Sequence, residues 1–349
     1  MKKALVYGCG GFYKKYEDQI YDKFDLIAFL DKKETNEKNH YKLIDQVNEN
    51  YEVILIMIEK VDFIFEALEE LKNKEIDYNK IELGISYWGR FSKYDFIKVS
   101  KNGILISKDK SILEVTTPDE FLSVEETILN GCYYYNIPEK SLPEIVIDIG
   151  MNIGDSTMFF SNKDNVKKVY GFEPFTKTFE IAKKNLQNLI DIGKVDIFNI
   201  GLSDSDREEV IKICDDMSTG LSTILENTEK SREARIDCGL LNNNNKMTIE
   251  QKVYIKSAHE IVKNIMDSSE YKARYILKCD CEGEEYAIFE DLYKYNLLGM
   301  FSYIVVEWHN RGSNILERYL TDSGFSICKN ITDIIRDRGI INAFKNQIV

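Results

Sequence analysis

The sequence predicts an α/β protein built in two parts, and two observations predict it. Short apolar strands alternate with amphipathic stretches of helical period, and two of those strands run directly into glycine-containing turns that open helices. Strands separated by helices need crossover connections, so both parts are expected to hold mostly parallel sheets with helices on both faces. A chain of 349 residues is also too long for one ordinary core.

The first strand is Ala4-Leu5-Val6-Tyr7, which runs into Gly8-Cys9-Gly10-Gly11. Leu26 to Leu30 forms the second, closed by Asp31, and Val53 to Met57 the third. Between Asp62 and Lys74, Phe63, Phe65, Ala67, Leu68 and Leu71 suit a helix with one buried face, and Ile81-Glu82-Leu83 is a further short strand. Together they imply a small Rossmann-like unit over residues 1–85. Residues 86–142 read as a connector or cap over the site. They hold a hairpin from Ile97 to Ser107 turning at Asn102-Gly103, then a helix with Thr117 as N-cap and Pro118 in its first turn. Alternation resumes over residues 143–349, with strands at Ile145–Asp148, Val169–Phe172, Val195–Ile200, Ile276–Cys279 and Tyr303–Val306. Asn242 to Asn245 is a loop by composition.

Charge and composition exclude several classes. With 59 acidic and 46 basic side chains the formal charge is −13, which repels phosphate backbones, and no basic patch offsets it. A nucleic-acid partner is therefore not expected. Seven cysteines without a bridge-like spacing imply reduced thiols and a cytoplasmic location. The apolar run after Met1-Lys2-Lys3 breaks at Gly8, which reads as a buried strand and not an export signal. No apolar stretch approaches the roughly 20 residues of a membrane span.

The chemistry concentrates in Ile147-Asp148-Ile149-Gly150-Met151-Asn152-Ile153-Gly154-Asp155. A buried strand ends in a carboxylate, and the turn after it has glycine at both ends. Asn152 takes the middle position of what would otherwise be a dinucleotide fingerprint, which suits an adenosyl ligand with no pyrophosphate to cradle. Some 20 residues on, Glu173 closes the next strand, where an acidic side chain can accept both ribose hydroxyls.

These motifs resemble the FkbM family of S-adenosylmethionine-dependent methyltransferases. The resemblance continues through Phe172-Glu173-Pro174, Asn185-Leu186, Leu202-Ser203-Asp204, Leu277-Lys278-Cys279-Asp280-Cys281-Glu282-Gly283-Glu284-Glu285, Glu307-Trp308-His309 and Gly324-Phe325. Met151 stands where the family usually has alanine, and Ser257-Ala258-His259 replaces its usual Leu-Asp, so Ala258 and His259 inherit no role. The resemblance implies a class I methyltransferase sheet that binds S-adenosylmethionine. Asp148, Gly150 and Gly154 would border its methionine part, with Asn152 and Asp155 in the same turn. Glu173 would hold the ribose, with Pro174 beside it among the cofactor-binding residues, Ser203 and Asp204 would flank the adenine, and Asp280 would lie near the reacting centre.

Its further implication is O-methylation of a saccharide or related small metabolite. A hydroxyl is a poor nucleophile and needs a base or a metal to take its proton. His309 is the favoured base, since imidazole titrates near neutrality; Asp280 comes next, and Glu307 lies two residues from His309 on the same strand face. Asp280, Glu282 and Glu307 holding Mg²⁺ is the less favoured arrangement. Cys279-x-Cys281 reads as core filling, with both thiols turned from the face of Asp280. Ser218 to Ser222 is either a small-residue loop near the pocket or an ordinary surface turn.

In the first unit, Gly8-x-Gly10 and Asp31 suggest a dinucleotide site, but Tyr13 occupies the third glycine position. Binding of a nucleotide or nucleotide-sugar is the less favoured reading, and a structural or dimerising role, which would make a homodimer, the favoured one. Two rivals remain: an NAD-dependent sugar or nucleotide-sugar oxidoreductase, which Tyr13 argues against, and a non-catalytic cofactor-binding module. Intact Asp148, Glu173, Asp280 and His309 argue against the second.

Overall fold

The computed structural model describes residues 1–32, 39–137, 142–214, 248–269, 272–335 and 337–346. The expected turn Ser218–Ser222 and loop Asn242–Asn245 lie outside the described residues. The chain divides into two compact units, Met1–Asn130 and Gly131–Val349. No described helix is long and apolar enough to cross a membrane.

In the first unit, β1 (Lys2–Tyr7) leads into α1 (Gly11–Lys23), then β2 (Phe24–Leu30), β3 (His40–Tyr41), β4 (Val53–Ile56), α2 (Val61–Asn73) and β5 (Ile81–Leu83). The five strands form one parallel sheet in the order β3-β2-β1-β4-β5. The Tyr13 ring of α1 is buried edge-on to Phe29, with centroids 5.9 Å apart.

The hairpin forms as β6 (Phe96–Val99) and β7 (Ile104–Lys108), and an unexpected third strand, β8 (Ser111–Val115), completes an antiparallel sheet. In α3 (Pro118–Val124) the N-cap is Thr117, whose hydroxyl accepts from the Glu120 N–H at 3.2 Å. The expected single connector over 86–142 is divided by the structure. Its part up to Asn130 has a core of its own in Ile97, Ile104, Ile106, Leu113, Val115 and the edge-packed Phe91 and Phe121, and it clusters with the first unit. Gly131 onward, with buried Tyr133 and Tyr135, belongs to the second.

The second unit runs β9 (Glu144–Ile149), α4 (Asp155–Ser161), β10 (Val166–Phe172), α5 (Thr176–Asp191), β11 (Val195–Phe198), β12 (Gly201–Ser203), β13 (Arg207–Cys214) and β14 (Thr248–Ser257). It continues with α6 (Ala258–Asp267), β15 (Arg274–Cys279), α7 (Glu285–Lys294), β16 (Phe301–His309), α8 (Asn314–Asp322), β17 (Phe325–Asp333) and β18 (Arg338–Lys345). The main sheet has the order β11-β10-β9-β15-β16-β18-β17; the first five strands are parallel, and β18 pairs antiparallel with both β16 and β17, so it alone runs the opposite way.

Three expectations change. The third strand stops at Phe198, and Gly201–Ser203 leaves the main sheet to pair with β14. The sheet gains an antiparallel pair at its edge. Strand β16 extends to His309, where Arg338 of β18 lies opposite. Ile145, Ile147 and Ile149 join Leu277, Cys279, Ile304 and Val306 on one buried face, packed with residues of α6, α7 and α8. Chain order reverses beside β9, whose neighbours are β10 and β15. In such sheets ligands bind at the strands' C-terminal ends, at this switch point.

Candidate active site

The turn after β9 is set by close packing. Gly150 has φ +75°, and a Cβ there would lie 1.9 Å from the Asp280 carbonyl oxygen. At Gly154, φ is +88° and a Cβ would meet Leu186 of α5 at 2.8 Å. Both positions admit glycine alone without rearrangement. Asn152 between them has φ +50°, a conformation asparagine tolerates better than most residues.

A pocket opens at these strand ends. It is lined by Gly150 and Asn152, by Phe172, Glu173, Pro174 and Phe175, by Leu202, and by Asp280, Cys281, Glu282 and Glu284. Glu173 is buried, and its carboxylate accepts the Phe175 N–H at 3.0 Å and the Asn152 N–H. Burial pushes its pKa up to about 8, against those hydrogen bonds and the Lys278 charge. Asn199 donates to the Glu173 and Pro174 carbonyls at 2.9 and 3.1 Å, which fixes the Glu-Pro turn.

Asp148 and the residues flanking the pocket serve other ends. Asp148 is fully buried but turned from the pocket: Ser156 and Thr157 hydroxyls donate to it at 2.7 and 2.6 Å, and Lys278 Nζ lies 3.3 Å away. Lys278, only 2% exposed, also donates to the Gly150 carbonyl. Its pKa is held well above the lysine range because Asp148 and Asp280 outweigh the effect of burial. Asp148 thus anchors the turn through a buried ion pair with Lys278. Gly154 and the buried Asp155 begin α4 and do not line the pocket either. Nor do Ser203, whose hydroxyl donates to Glu284 at 2.6 Å, and Asp204, which faces Arg207 on the surface. Leu202 and Glu284 take the places expected of them.

Behind the pocket-lining Asp280, a cluster of Asp280, Glu307 and His309 presents one donor atom each within 4.8 Å of one another. Tyr133 donates to Asp280 at 2.9 Å. Burial raises the Asp280 carboxyl, but Lys278, His309 and Arg338 more than offset it and hold it below its usual range. Glu307 is pushed up to about 7 by burial and by Asp280. Burial alone would strip the proton from His309; instead Glu282, Glu285 and Asp280 raise it to about 9. The three carboxylates thus outweigh burial and favour the charged form of the ring. Cys279 is core filling as expected, whereas Cys281 follows the strand's end and lines the pocket. Sequence reasoning assigned no role to Lys278, Glu285 or Arg338. A lysine inside the apolar strand Tyr275–Cys279 was the available signal, because a buried charge must be paired.

A buried acceptor for a diol, apolar walls of Phe172, Phe175 and Leu202, and the buried, unpartnered Oδ1 of Asn152 fit an adenosyl group. The fold and site define a nucleoside-binding α/β enzyme of the class I methyltransferase type. The methyltransferase FkbM domain matches residues 148–339. The chain belongs to the FkbM family of S-adenosylmethionine-dependent methyltransferases.

Among solved structures it is similar to methyltransferase FkbM from Methylobacillus flagellatus, at 11% identity and TM-score 0.35, over 98% of this chain and 90% of that one. It is also similar to a putative methyltransferase from Streptococcus mutans in complex with SAH, at 12% identity and TM-score 0.33, over 59% and 91% of the two chains. An rRNA methylase from Streptococcus thermophilus gives 13% identity and TM-score 0.31, over 59% and 88%. No curated protein gives a significant match.

Proposed function

We propose that this methyltransferase methylates oxygen, and that its acceptor is a hydroxyl of a saccharide or related small metabolite. The observation that carries the reading is Asp280: a carboxylate in the pocket wall, kept ionised despite burial and fixed by the Tyr133 hydroxyl. When bound, S-adenosylmethionine supplies an electrophilic methyl group on a sulfonium. Glu173, Asn152 and the Gly150 turn would hold it. Asp280 orients the acceptor hydroxyl and receives its proton late, as positive charge develops on the oxygen; a weak base suffices for that. The Lys278 charge, with that of His309 behind it, keeps Asp280 ionised, and Glu282 beside it in the pocket adds an acceptor suited to sugar hydroxyls.

The test is transfer of a tritiated methyl group to a panel of sugars, sugar nucleotides and glycans, with the position of methylation read by mass spectrometry. Asp280→Asn should lower turnover about 100-fold or more while S-adenosylhomocysteine affinity stays within about threefold. Methylation at nitrogen or carbon, or unchanged turnover in D280N, would overturn the reading.

A further inference from the structure

His309 is 3% exposed, and its two ring nitrogens have opposite surroundings. Nδ1 lies 3.2 Å from Oε1 of the fully buried Glu285, which also accepts the His309 backbone N–H at 2.8 Å. A carboxylate only accepts, so Nδ1 carries the hydrogen. Nε2 is buried without a hydrogen-bond partner. It points at Asp280 Oδ1 (3.8 Å), Glu282 Oε2 (3.8 Å) and Glu307 Oε1 (3.9 Å).

These distances select the occupant. A proton on Nε2 would need an oxygen at about 2.7–3.2 Å, and all three lie beyond that. Donors each about 2.1 Å from one cation lie about 3.0–4.2 Å apart, which brackets the three separations from Nε2, while the donor atoms of Asp280, Glu307 and His309 all lie within 4.8 Å of one another. Arg338 lies 3.5 Å from Glu282 Oε1 and 2.5 Å from Glu307 Oε1, the same oxygen that faces His309, and leaves Glu282 Oε2 facing His309. The Glu285–His309 pair reproduces the carboxylate–histidine support found behind metal-ligating imidazoles.

We propose that Asp280, Glu307 and His309, with Glu282 at the rim, form a divalent metal site. Its imidazole donor favours a first-row transition ion such as Mn²⁺ over Mg²⁺. Asp280 and Glu282 line the pocket, so the ion's remaining positions face the acceptor. There it supplies positive charge among the three carboxylates and lowers the pKa of a coordinated hydroxyl. This catalytic role rests on the hydroxyl-methylation reading; the binding itself does not.

The chain, stripped with EDTA and exchanged into metal-free buffer, is titrated with Mn²⁺ while electron paramagnetic resonance reads the free ion. One Mn²⁺ per chain is expected, weakened about 10–100-fold in His309→Gln and Glu307→Gln, with S-adenosylhomocysteine still bound by both. A second measurement needs no variant. Of the chain's three histidines, a single ring Nε2 should shift in the ¹⁵N spectrum of the wild type when Zn²⁺ is added. Absence of saturable Mn²⁺ uptake, equal uptake in both variants, or no histidine shift would overturn the site. Full-rate hydroxyl methylation in EDTA would overturn its catalytic role and leave the proposed function standing. Stoichiometric metal without hydroxyl methylation would support the site and remove that function.

Discussion

Raising the pH from 6.5 to 8.5 should tighten S-adenosylhomocysteine binding about 25-fold, and the reason is Glu173. A ribose diol donates to the ionised carboxylate, but burial has pushed this one up to about 8. Before the ligand arrives, about 3% of the side chain is ionised at pH 6.5 and about 76% at pH 8.5. Their ratio is the predicted gain, so long as the bound state requires the anion. Binding at pH 7 should also release about 0.9 proton per ligand. Isothermal titration calorimetry in two buffers of different ionisation enthalpy reads both quantities. Glu173→Gln should weaken binding at pH 8.5 by about 10–100-fold, because two charge-assisted hydrogen bonds become neutral. Any slope left in that variant belongs to the ligand's own amino group. A wild-type profile as shallow as that of E173Q would refute the reasoning.

The same burial shapes stability. The folded pKa of Glu173 lies above its ordinary value of 4.5, so the folded chain keeps a proton that the unfolded chain has released. Stability from this group falls as pH rises from about 4.5 to about 8, and the ligand-free E173Q protein should melt above wild type at pH 8.5. Gly150→Ala should drop the melting temperature sharply and abolish ligand binding, since the new Cβ falls 1.9 Å from the Asp280 carbonyl. Lys278→Met strands the fully buried Asp148 charge and should cost about 3–5 kcal/mol in urea unfolding, with Asp148→Asn recovering part of it. Asp204→Ala should leave S-adenosylhomocysteine affinity within about twofold, since that exposed carboxylate faces Arg207 and not the pocket.

What was legible followed from pattern. Residues Glu144–Ile149 are buried throughout, and such a run followed by Gly150 announces a central parallel strand and its turn. Thr117 and Pro118 announced a helix start by chemistry that is local to the chain. The third strand was read too long because Asn199 and Ile200 continue its composition, although the backbone turns there to hand Gly201–Ser203 to another sheet. That sheet was missed because its middle strand β14 lies far along the chain, and the edge pair β17–β18 because much of β17 is exposed and polar. The orientation of the site residues was not legible for a related reason. A motif states which strand end carries a carboxylate but not which way it turns. Asp148 alternates with Ile147 and Ile149 and so faces Ser156, Thr157 and Lys278 across the sheet from their core. The charge of His309 depends on Glu282 and Glu285, which only the fold brings beside it.

A crystal structure with S-adenosylhomocysteine bears most directly on the pocket at the ends of β9, β10 and β15. The account predicts ribose hydroxyls on the Glu173 carboxylate, the purine against Phe175 and Leu202, and the sulfur turned toward Asp280. A ligand seated elsewhere, or one in this pocket with its sulfur directed away from Asp280, would contradict it.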